Sequence, residues 1–464
     1  MAFSHFHGCA VNNIGLFMRK QENFWKKINV LYLIVNIVKK NILSNKINWI
    51  VACGMFMRIA YMLYTPLAVR SHDLREFSVD SNGHAAYLLN LMEGHLPNTN
   101  NFQFYQQPFY YLVSVGVAKI LKVCILQLSI YQMVGASKII SCLASCLILI
   151  LAIKIGKTVK LKSTGMEILM LYVAFTPVFY LRGGGVGPDM LATFFITAEF
   201  LWTLYWKENP SWKNTLILAF IYGLGVMTKI SCAIVAIYTA IVFTNKLWKS
   251  ENKKEITGLL KKYICFGIIS LPLGLWYSVR NYIKFRQPLN YVPDIGRQSE
   301  LYIGNRSLVE RFMYIDLKNL IGSPFCAVKD DYNAPVYFIK SSLFGEFSFE
   351  IPLWTPKLLL YSAVGIAVFL VLAIIWNARN CSENYGKDIL FISAVYYASI
   401  IVFNIKYPYG CSMDFRYMGF LTVMAGIMMG RYEEQLERGK YGTVVKILFY
   451  GYSFFSILMY LWIA

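Results

Sequence analysis

The sequence predicts an all-α protein that crosses a membrane many times. Hydrophobic residues make up 57% of the 464 residues and charged residues only 15%, and the mean hydropathy is +0.47. The chain consists of apolar runs separated by short polar connections, which is typical of a polytopic membrane protein. Runs of about 20 apolar residues have the length of membrane-spanning helices, whose backbone groups are satisfied within the helix.

The formal net charge of +20 is best explained by membrane topology. The basic residues occur in short clusters between the apolar runs, as the positive-inside rule requires, and contact with anionic membrane lipids is a secondary expectation. No continuous basic face is present, so no nucleic-acid partner is predicted. The ten cysteines contain no CxxC pair and indicate neither a zinc site nor a disulfide framework.

The N-terminal part, 1–46, is predicted to be a basic cytoplasmic segment, and 47–464 the transmembrane domain. Within the basic segment, 28–38 is too short to cross about 30 Å of hydrocarbon and is predicted to be an interfacial helix. Seven Lys and Arg residues precede the first span at 49–69, which predicts a cytoplasmic N-terminus. No signal-peptide cleavage pattern precedes that span.

The segment 108–126 decides the topology, because it is apolar but carries Lys119 and Lys122. If it lies in the interface, the later short cytoplasmic loops hold eighteen Lys and Arg residues and the short outer loops hold four. If it crossed the membrane, these two sets would exchange sides and break the positive-inside rule. We therefore expect an interfacial helix here and about 11 spans in all. After the first, they are expected at 134–153, 164–181, 190–206, 214–227, 231–245, 263–281, 357–376, 388–405, 416–430 and 443–462.

This topology places four polar features on the extracytoplasmic side. They are the loops near 70–133, 182–189, 282–356 and 406–415. Since no internal repeat is visible, a transporter built from inverted repeats gains no support. The chemistry is expected at these outer loops.

The first outer loop carries two candidate catalytic aspartates and two histidines that are candidates for substrate binding. His72, Asp73, Asp80 and His84 lie within 13 positions beside a span. An exposed Asp is ordinarily only solvated, but ionisable residues next to lipid carry a desolvation cost that favours a functional reason. A divalent ion held by His72, His84 and Asp80 is a second possibility.

Further charged candidates stand at the outer ends of spans. Asp189 could be a helix N-terminal acid stabilised by the dipole or a second carboxylate of the same cavity. Lys229, Arg280 and Arg416 lie on the side where positive charge is disfavoured. Such cations suit an anionic lipid phosphate, because a guanidinium can bind two phosphate oxygens.

Several motifs together resemble a known superfamily. In chain order they are TPLAVRSHDLREF, NGHAAYL, FYQQPFYYL, GVGPDMLATFF, GLGVMTKIS, WYSVRNYIKFRQPLNYVP, KSSLFGEF and MDFRYMGF. Over about 47–430 the chain looks like the bacterial GT-C membrane glycosyltransferases related to protein O-mannosyltransferases and aminoarabinose transferase.

The resemblance implies an inverting hexosyl- or pentosyltransferase of the plasma membrane, acting in the cell envelope. Its donor would be a polyprenyl-phosphate-linked sugar and its acceptor a hydroxyl or amine of a glycan, lipid or protein. Asp73, or else Asp80, matches the first-loop acid that acts on the acceptor, and Asp189 matches the acid of the second outer loop.

Arg280 and Arg416 match basic positions near the donor phosphate. Two departures are visible: His72-Asp73 replaces the usual acidic pair, and QQPF replaces HPPL or QPPL. One carboxylate and a cationic cradle suffice for the bond change, and a divalent metal is possible but not required.

The sequence also fits three alternative interpretations. Tyr105 could stack on a sugar ring or act as an interfacial anchor. The same charges could line a flippase or transporter for lipid-linked sugars, although a transporter needs charge near the bilayer midplane. The protein could also be an inert membrane scaffold, in which case replacing Asp73 or Asp80 by Asn would change nothing.

Overall fold

The protein is described from a computed structural model, which covers 46–124, 128–381, 385–436 and 439–462. The interfacial helix expected at 28–38 lies outside these residues. The chain divides into two units, Met1–Ala52 and Cys53–Ala464. Within the described ranges the secondary structure is helical, apart from one isolated β-bridge between Tyr302 and Tyr409.

The α-helices are numbered here in chain order. They are α1 Lys46–Tyr64, α2 Leu67–Arg70, α3 His84–Met92, α4 Phe109–Cys124, α5 Ile130–Gly135, α6 Ser137–Thr158, α7 Ser163–Phe175, α8 Val178–Gly183, α9 Asp189–Glu208, α10 Trp212–Thr228, α11 Ala236–Trp248, α12 Lys253–Phe285, α13 Leu308–Phe312, α14 Leu317–Gly322, α15 Ala334–Phe344, α16 Trp354–Arg379, α17 Gly386–Lys406, α18 Gly419–Leu436 and α19 Lys440–Trp462. In the part of the chain that the structure describes, short 3₁₀ helices lie at Phe102–Tyr105, Ile230–Val235, Gly410–Met413 and Phe415–Met418.

Seven helical segments in the described residues are long and apolar enough to cross a membrane. They confirm the prediction of an all-α, multi-pass integral membrane protein. The other four expected spans overlap α7, α9, α10 and α18, which are shorter or less apolar. Most residues of α7, α9 and α18 are buried among other helices. Such helices need less lipid-compatible surface, so the count of 11 crossings stays a prediction.

The segment expected in the interface is helical from Phe109 to Cys124. It is not among the helices long and apolar enough to cross a membrane. It packs against α3 and α6, and its buried residues lie on one face. Its position along the membrane surface remains a prediction.

Local signals explain where the helices around the site begin and end. Pro177 follows the end of α7, since the residue before a proline is pushed out of the helical region. Ser211 caps α10 by accepting a hydrogen bond from the Asn214 amide. In the compact unit Cys53–Ala464, the most extensive packing pairs α10 with α12, α7 with α18, and α6 with α9. This packing fixes the ends of α8 and α9, where the charged loops meet.

Candidate functional site

A small cavity lies at the end of the bundle where α9 begins. Three arginines, two histidines, one carboxylate and a backbone turn line it: Arg70, His72, His84, Arg182, Gly185, Val186, Gly187, Asp189 and Arg416. These residues come from the first loop, the turn between α8 and α9, and the connection between α17 and α18. The long 282–356 loop reaches the same place through Glu346, which lies 3.5 Å from His72. All four loops singled out in the sequence therefore meet here.

The turn between α8 and α9 lies directly against the end of α2. A Cβ atom on Gly185 would stand 2.5 Å from the backbone oxygen of Arg70. The Val186 amide donates to the Ser71 hydroxyl at 3.0 Å, and the Gly187 amide donates to the Tyr110 hydroxyl at 3.1 Å. Glycine is required at 185 because backbone meets backbone there. This close approach closes one wall of the cavity.

Asp189 and Lys229 form an ion pair at the cavity wall. Lys229 follows the last residue of α10, and its Nζ lies 2.5 Å from Oδ1 of Asp189, the first residue of α9. The Lys229 ammonium also lies 4.7 Å from the centre of the Tyr417 ring. The structure thus brings together two of the residues expected to bind substrate. The pair is partly exposed, so a bound anion can reach the ammonium.

A second ion pair is almost completely buried beside the first. Nη2 of Arg182, at the end of α8, lies 2.5 Å from Oδ2 of Asp414. The other oxygen of Asp414 accepts the backbone amide of Arg416 at 2.6 Å. Asp414 therefore fixes both guanidinium-bearing segments, one by charge and one through the backbone.

Arg416 and Arg70 are the cations of this site without a carboxylate partner among the described residues; Nε of Arg70 donates to the Tyr61 hydroxyl at 2.8 Å. Arg416 is held in a similar way. Its Nη2 donates to the Tyr417 hydroxyl at 3.0 Å, and its guanidinium lies 4.9 Å from that ring. The Nε atoms of Arg416 and Arg182 are both buried and have no hydrogen-bond partner in the described chain. Unsatisfied buried donors are costly, so these two N–H groups are suited to an acceptor that enters the cavity.

His84 faces the cavity as a neutral side chain. Its Nδ1 lies 2.8 Å from the Tyr111 hydroxyl. Burial lowers the pKa of His84 to about 4, although the carboxylates of Asp73 and Asp189 act in the opposite direction. A neutral imidazole can donate or accept one hydrogen bond at its other nitrogen. His84 therefore offers a polar contact without adding charge at neutral pH.

His72 is also neutral, and it lines the same cavity. Its ring stacks on Phe347 with 4.7 Å between ring centres. Burial is the first cause that lowers its pKa far below the usual value, and Arg182 and Arg416 lower it further. Its Nε2 faces Glu346 at 3.5 Å.

Glu346 is a buried carboxyl whose pKa is raised by its surroundings. Burial raises the pKa of this carboxyl to about 7, Asp414 raises it as well, and Arg416 and Arg182 act against that rise. Its Oε1 accepts a hydrogen bond from the Tyr337 hydroxyl at 3.3 Å. The net charge of the cavity therefore changes as the pH passes through about 7.

Asp73 approaches the same cavity from the first loop. It adopts a left-handed backbone conformation, with φ of 54°, and its carbonyl accepts the His84 amide at 2.9 Å. Its Oδ2 accepts a hydrogen bond from Gln103 at 2.9 Å. Asp73, Asp189 and Arg416 all act electrostatically on Tyr105. Asp73 and Tyr105, two of the expected residues, thus lie within electrostatic reach of the cavity charges.

Two expected residues lie elsewhere. Asp80 is exposed, and its backbone amide donates to the Ser78 hydroxyl at 3.3 Å. Arg280 extends toward the first loop, where its Nη2 donates to the Pro97 carbonyl at 2.7 Å. Of the expected residues, His72, His84, Asp189 and Arg416 line the cavity. Lys229 joins them through its ion pair with Asp189, and the exposed Asp73 and the half-buried Tyr105 lie within electrostatic reach.

Arg182, Asp414 and Glu346 belong to the site but were not singled out as site residues in the sequence. Arg182 stood in a short outer loop where positive charge is disfavoured, and Asp414 lies two residues before Arg416. Glu346 occurs inside the quoted motif KSSLFGEF. These signals could have suggested all three, but only their contacts show what they do.

One group of side chains has metal-ligand chemistry. His72, Glu346 and Asp414 each offer a ligand atom, and these atoms lie within 4.8 Å of one another. A nitrogen and two carboxylates suit a divalent cation. The Arg182 guanidinium already occupies one Asp414 oxygen, and Arg416 adds further positive charge. The set of His72, His84 and Asp80 considered from the sequence is not among the groups of described residues whose ligand atoms lie this close together.

A larger cleft opens at the other end of the bundle. It is about 30 Å away along α9 by the helical rise, and Lys207, Tyr238 and Asp388 contribute to its lining. The Lys207 ammonium binds both oxygens of Asp388, at 2.8 and 2.7 Å, and the Tyr238 hydroxyl donates to the same carboxylate at 2.9 Å. The Lys207 ammonium and the Asp388 carboxylate therefore neutralise each other and leave no unpaired charge in this group. The candidate site is therefore assigned to the Asp189 end.

Fold and site together define an all-α integral membrane protein with a cationic cavity where its loops converge at one end of the bundle. No family model matches the chain, and no curated protein sequence matches it. Among solved structures, it is similar to ArnT from Cupriavidus metallidurans in the apo state, with 13% identity over 84% of this chain and 78% of that chain. The TM-score is 0.36, a value too low to establish a shared fold or a shared activity.

Proposed function

We propose that the protein is a GT-C-type inverting glycosyltransferase of the plasma membrane. It moves a sugar from a polyprenyl-phosphate-linked donor to an acceptor hydroxyl or amine on the extracytoplasmic side. The ordered motifs in the sequence support the class, and the charges of the cavity support the chemistry. The acceptor is a glycan, lipid or protein of the cell envelope.

The observation that carries the proposal is the surplus of cations around Asp189. Lys229 and Arg182 are each paired with one carboxylate, whereas Arg416 has no such partner among the described residues. A monoanionic phosphodiester supplies the missing negative charge. Negative charge grows on the phosphate as the glycosidic bond breaks, and preorganised cations stabilise it by about 3 to 4 kcal/mol for an important donor.

Asp73 is the proposed base. Its carboxylate accepts the proton of the acceptor hydroxyl while the oxygen attacks the anomeric carbon from the face opposite the phosphate. The attack inverts the anomeric configuration, and the phosphate leaves without an acid. A positioned base of this kind contributes roughly 100- to 10,000-fold to the rate.

Topology supports the assigned side of the membrane. The lysine-rich connections favour the cytoplasm for the end of the bundle that bears Lys207, with the N-terminus on that same side. The cavity then opens on the extracytoplasmic side. The head group of a lipid carrier in the outer leaflet would lie at this level, next to the ends of the spanning helices.

The rival function, a flippase or transporter, requires charge along the middle of the bundle. Two cations lie within expected membrane spans, and both donate hydrogen bonds to backbone carbonyls of the bundle. Arg58 donates to the carbonyls of Gly54, Ala174 and Val173 at 2.8 to 2.9 Å, and Lys138 donates to the carbonyl of Thr65 at 2.6 Å. Such bonds favour a fixed structural role over a translocation path.

The first test measures binding of the lipid carrier alone, because the identity of the donor sugar is not known. The full-length protein in lipid nanodiscs is titrated with polyprenyl phosphate, and bound lipid is measured by native mass spectrometry. Arg416→Ala is expected to weaken binding by about tenfold or more, the scale of one lost charge-assisted contact. Arg297→Ala removes an exposed arginine of the long loop and serves as the control. Equal binding by all three proteins would contradict the proposed phosphate site.

Transfer is then measured with a panel of polyprenyl-phosphate sugars and cell-envelope extracts as acceptor. The wild-type protein is expected to move label from at least one donor into the extract with inversion at the anomeric carbon. Movement of intact donor across the membrane of a proteoliposome, without transfer, would support the transporter instead.

A further inference from the structure

An unusually apolar surface covers part of the long loop between α12 and α16. Within 308–321, here called the apolar segment, large side chains point outward from α13, α14 and the turn between them. The exposed fractions are 61% for Val309, 79% for Met313 and 60% for Leu317, and Ile315 and Ile321 are similarly exposed. Apolar patches of this kind on a protein surface mark an interaction site.

The apolar segment is held firmly from its inner side. Asn333 donates to the carbonyls of Glu310 and Tyr314 at 2.9 and 2.6 Å. Lys340, on α15, donates to the carbonyl of Asn319 at 3.0 Å. The apolar side chains are thus presented outward by a backbone that is tied to the body of the protein.

The same segment is fixed at the end of a spanning helix. Arg311 is buried, and its Nη2 donates to the carbonyl of Asn404 in the last turn of α17. Just before the segment, the Ile303 amide donates to the carbonyl of Pro408 at 2.9 Å, two residues beyond α17. These bonds hold the apolar segment beside the end of α17, which is one of the helices long and apolar enough to cross a membrane.

The outer end of α17 continues the apolar surface. Val402 and Ile405 are exposed large hydrophobic residues in its final two turns. Within the segment, the two acidic groups are occupied by helix caps: Glu310 binds Ser307, and Asp316 accepts the amide of Asn319. The exposed Arg306 and Lys318 remain for anionic head groups.

From this geometry we propose that the apolar segment is a lipid-docking surface. Its side chains insert into the boundary between head groups and acyl chains, in the leaflet on the side of the candidate site. Amphipathic helices in this position bind through buried apolar area together with basic residues at the rim. The inference is independent of the proposed glycosyltransferase activity, since it concerns only where this loop lies.

The test is site-specific photo-crosslinking in nanodiscs of phosphatidylethanolamine and phosphatidylglycerol that carry tritiated lipid. Met313 and Ile321 are each replaced by p-benzoylphenylalanine in the full-length protein. Val402 is the lipid-facing reference, and Glu300 is the water-exposed control in the same loop, with a side chain that is 72% exposed. Lipid adducts at 313 and 321 at the level of 402, with background at 300, are expected.

Three results would overturn the proposal. Background labelling at 313 and 321, with strong labelling at 402, would mean that the segment lies in water. A crosslinked dimer would assign this surface to a second copy of the chain. Equal labelling at 300 would show that lipid contact is not confined to the apolar segment.

Discussion

Lys229 and Asp189 join the end of α10 to the start of α9 at the cavity wall, with 2.5 Å between the ammonium nitrogen and the carboxylate oxygen. We expect Lys229→Ala to lower transfer roughly 100- to 1,000-fold, since a positioned charge that stabilises the transition state is lost. The carboxylate left behind is also expected to cost about 1 to 3 kcal/mol of stability. Initial transfer rates and thermal midpoints in nanodiscs measure the two effects.

A double variant separates these effects. Replacing Asp189 by Asn together with Lys229→Met removes both charges, so stability is expected to return while transfer stays low. If the double variant regained full transfer, the pair would be structural and its assignment to the phosphate site would be wrong.

Asp73 is the second prediction. Asp73→Asn keeps the shape of the side chain but removes the proton acceptor, so the transfer rate is expected to fall roughly 100- to 10,000-fold while binding of polyprenyl phosphate is retained. Glu76→Gln removes an exposed acid of the same loop and is the matched control. Asp80→Asn is assayed in parallel, and a larger fall there than in Asp73→Asn would move the base to position 80.

The third prediction concerns pH. Burial raises the pKa of Glu346 to about 7, so the carboxyl is mostly neutral below that pH and mostly negative above it. A negative Glu346 offsets Arg182 and Arg416, and donor binding is therefore expected to weaken as the pH rises from 6 to 8. A polyprenyl-phosphate sugar is the proper ligand for this titration, because its phosphodiester keeps one charge throughout.

Glu346→Gln should abolish that pH dependence and keep the tighter binding of low pH. Dissociation constants at several pH values, measured for both proteins, decide the point. Parallel pH profiles for the wild type and the variant would exclude Glu346 as the titrating group.

The fourth prediction tests the tight turn beside Arg70. Gly185→Ala would place a methyl group 2.5 Å from a backbone oxygen, so the turn must move away and the cavity wall with it. Binding of polyprenyl phosphate is expected to weaken while the protein still folds. Gly116→Ala is the control, because a Cβ there meets no atom within 4 Å. Wild-type binding by Gly185→Ala would show that this wall is not part of the site.

The fifth prediction concerns Glu199, in the middle of α9. This side chain is fully buried, and neither carboxyl oxygen has a hydrogen-bond partner in the described part of the chain. A buried carboxylate without a partner is costly, so Glu199→Gln is expected to preserve transfer and to keep or raise the thermal midpoint. Complete loss of function in this variant would support a path through the bundle and hence the transporter.

Much of the fold could be predicted because membrane helices leave a local signal. Hydropathy over about 20 residues predicts a span whatever its neighbours are, and each expected span overlaps a helix in the structure. The signal was weaker for helices such as α9 and α18, whose surroundings are largely protein. Lys229 and Arg416 were found because positive charge is rare at the outer ends of spans.

The ion pairs of the site could not be predicted from the sequence, because their two members lie far apart in the chain. Arg182 and Asp414 are 232 residues apart, and only the packing of α8 against the connection before α18 brings them into contact. The resemblance favoured Asp73 over Asp80 as the first-loop acid, and in the structure Asp73 acts electrostatically on His84 and Tyr105.

The sequence by itself determined an all-α membrane protein and the set of charged loops that could carry chemistry, because hydropathy and charge act locally along the chain. The tertiary structure decided which of those charges share a cavity, since that depends on how distant helices pack. The same packing left Arg416 without a carboxylate partner among the described residues, and the proposed phosphate site follows from that arrangement.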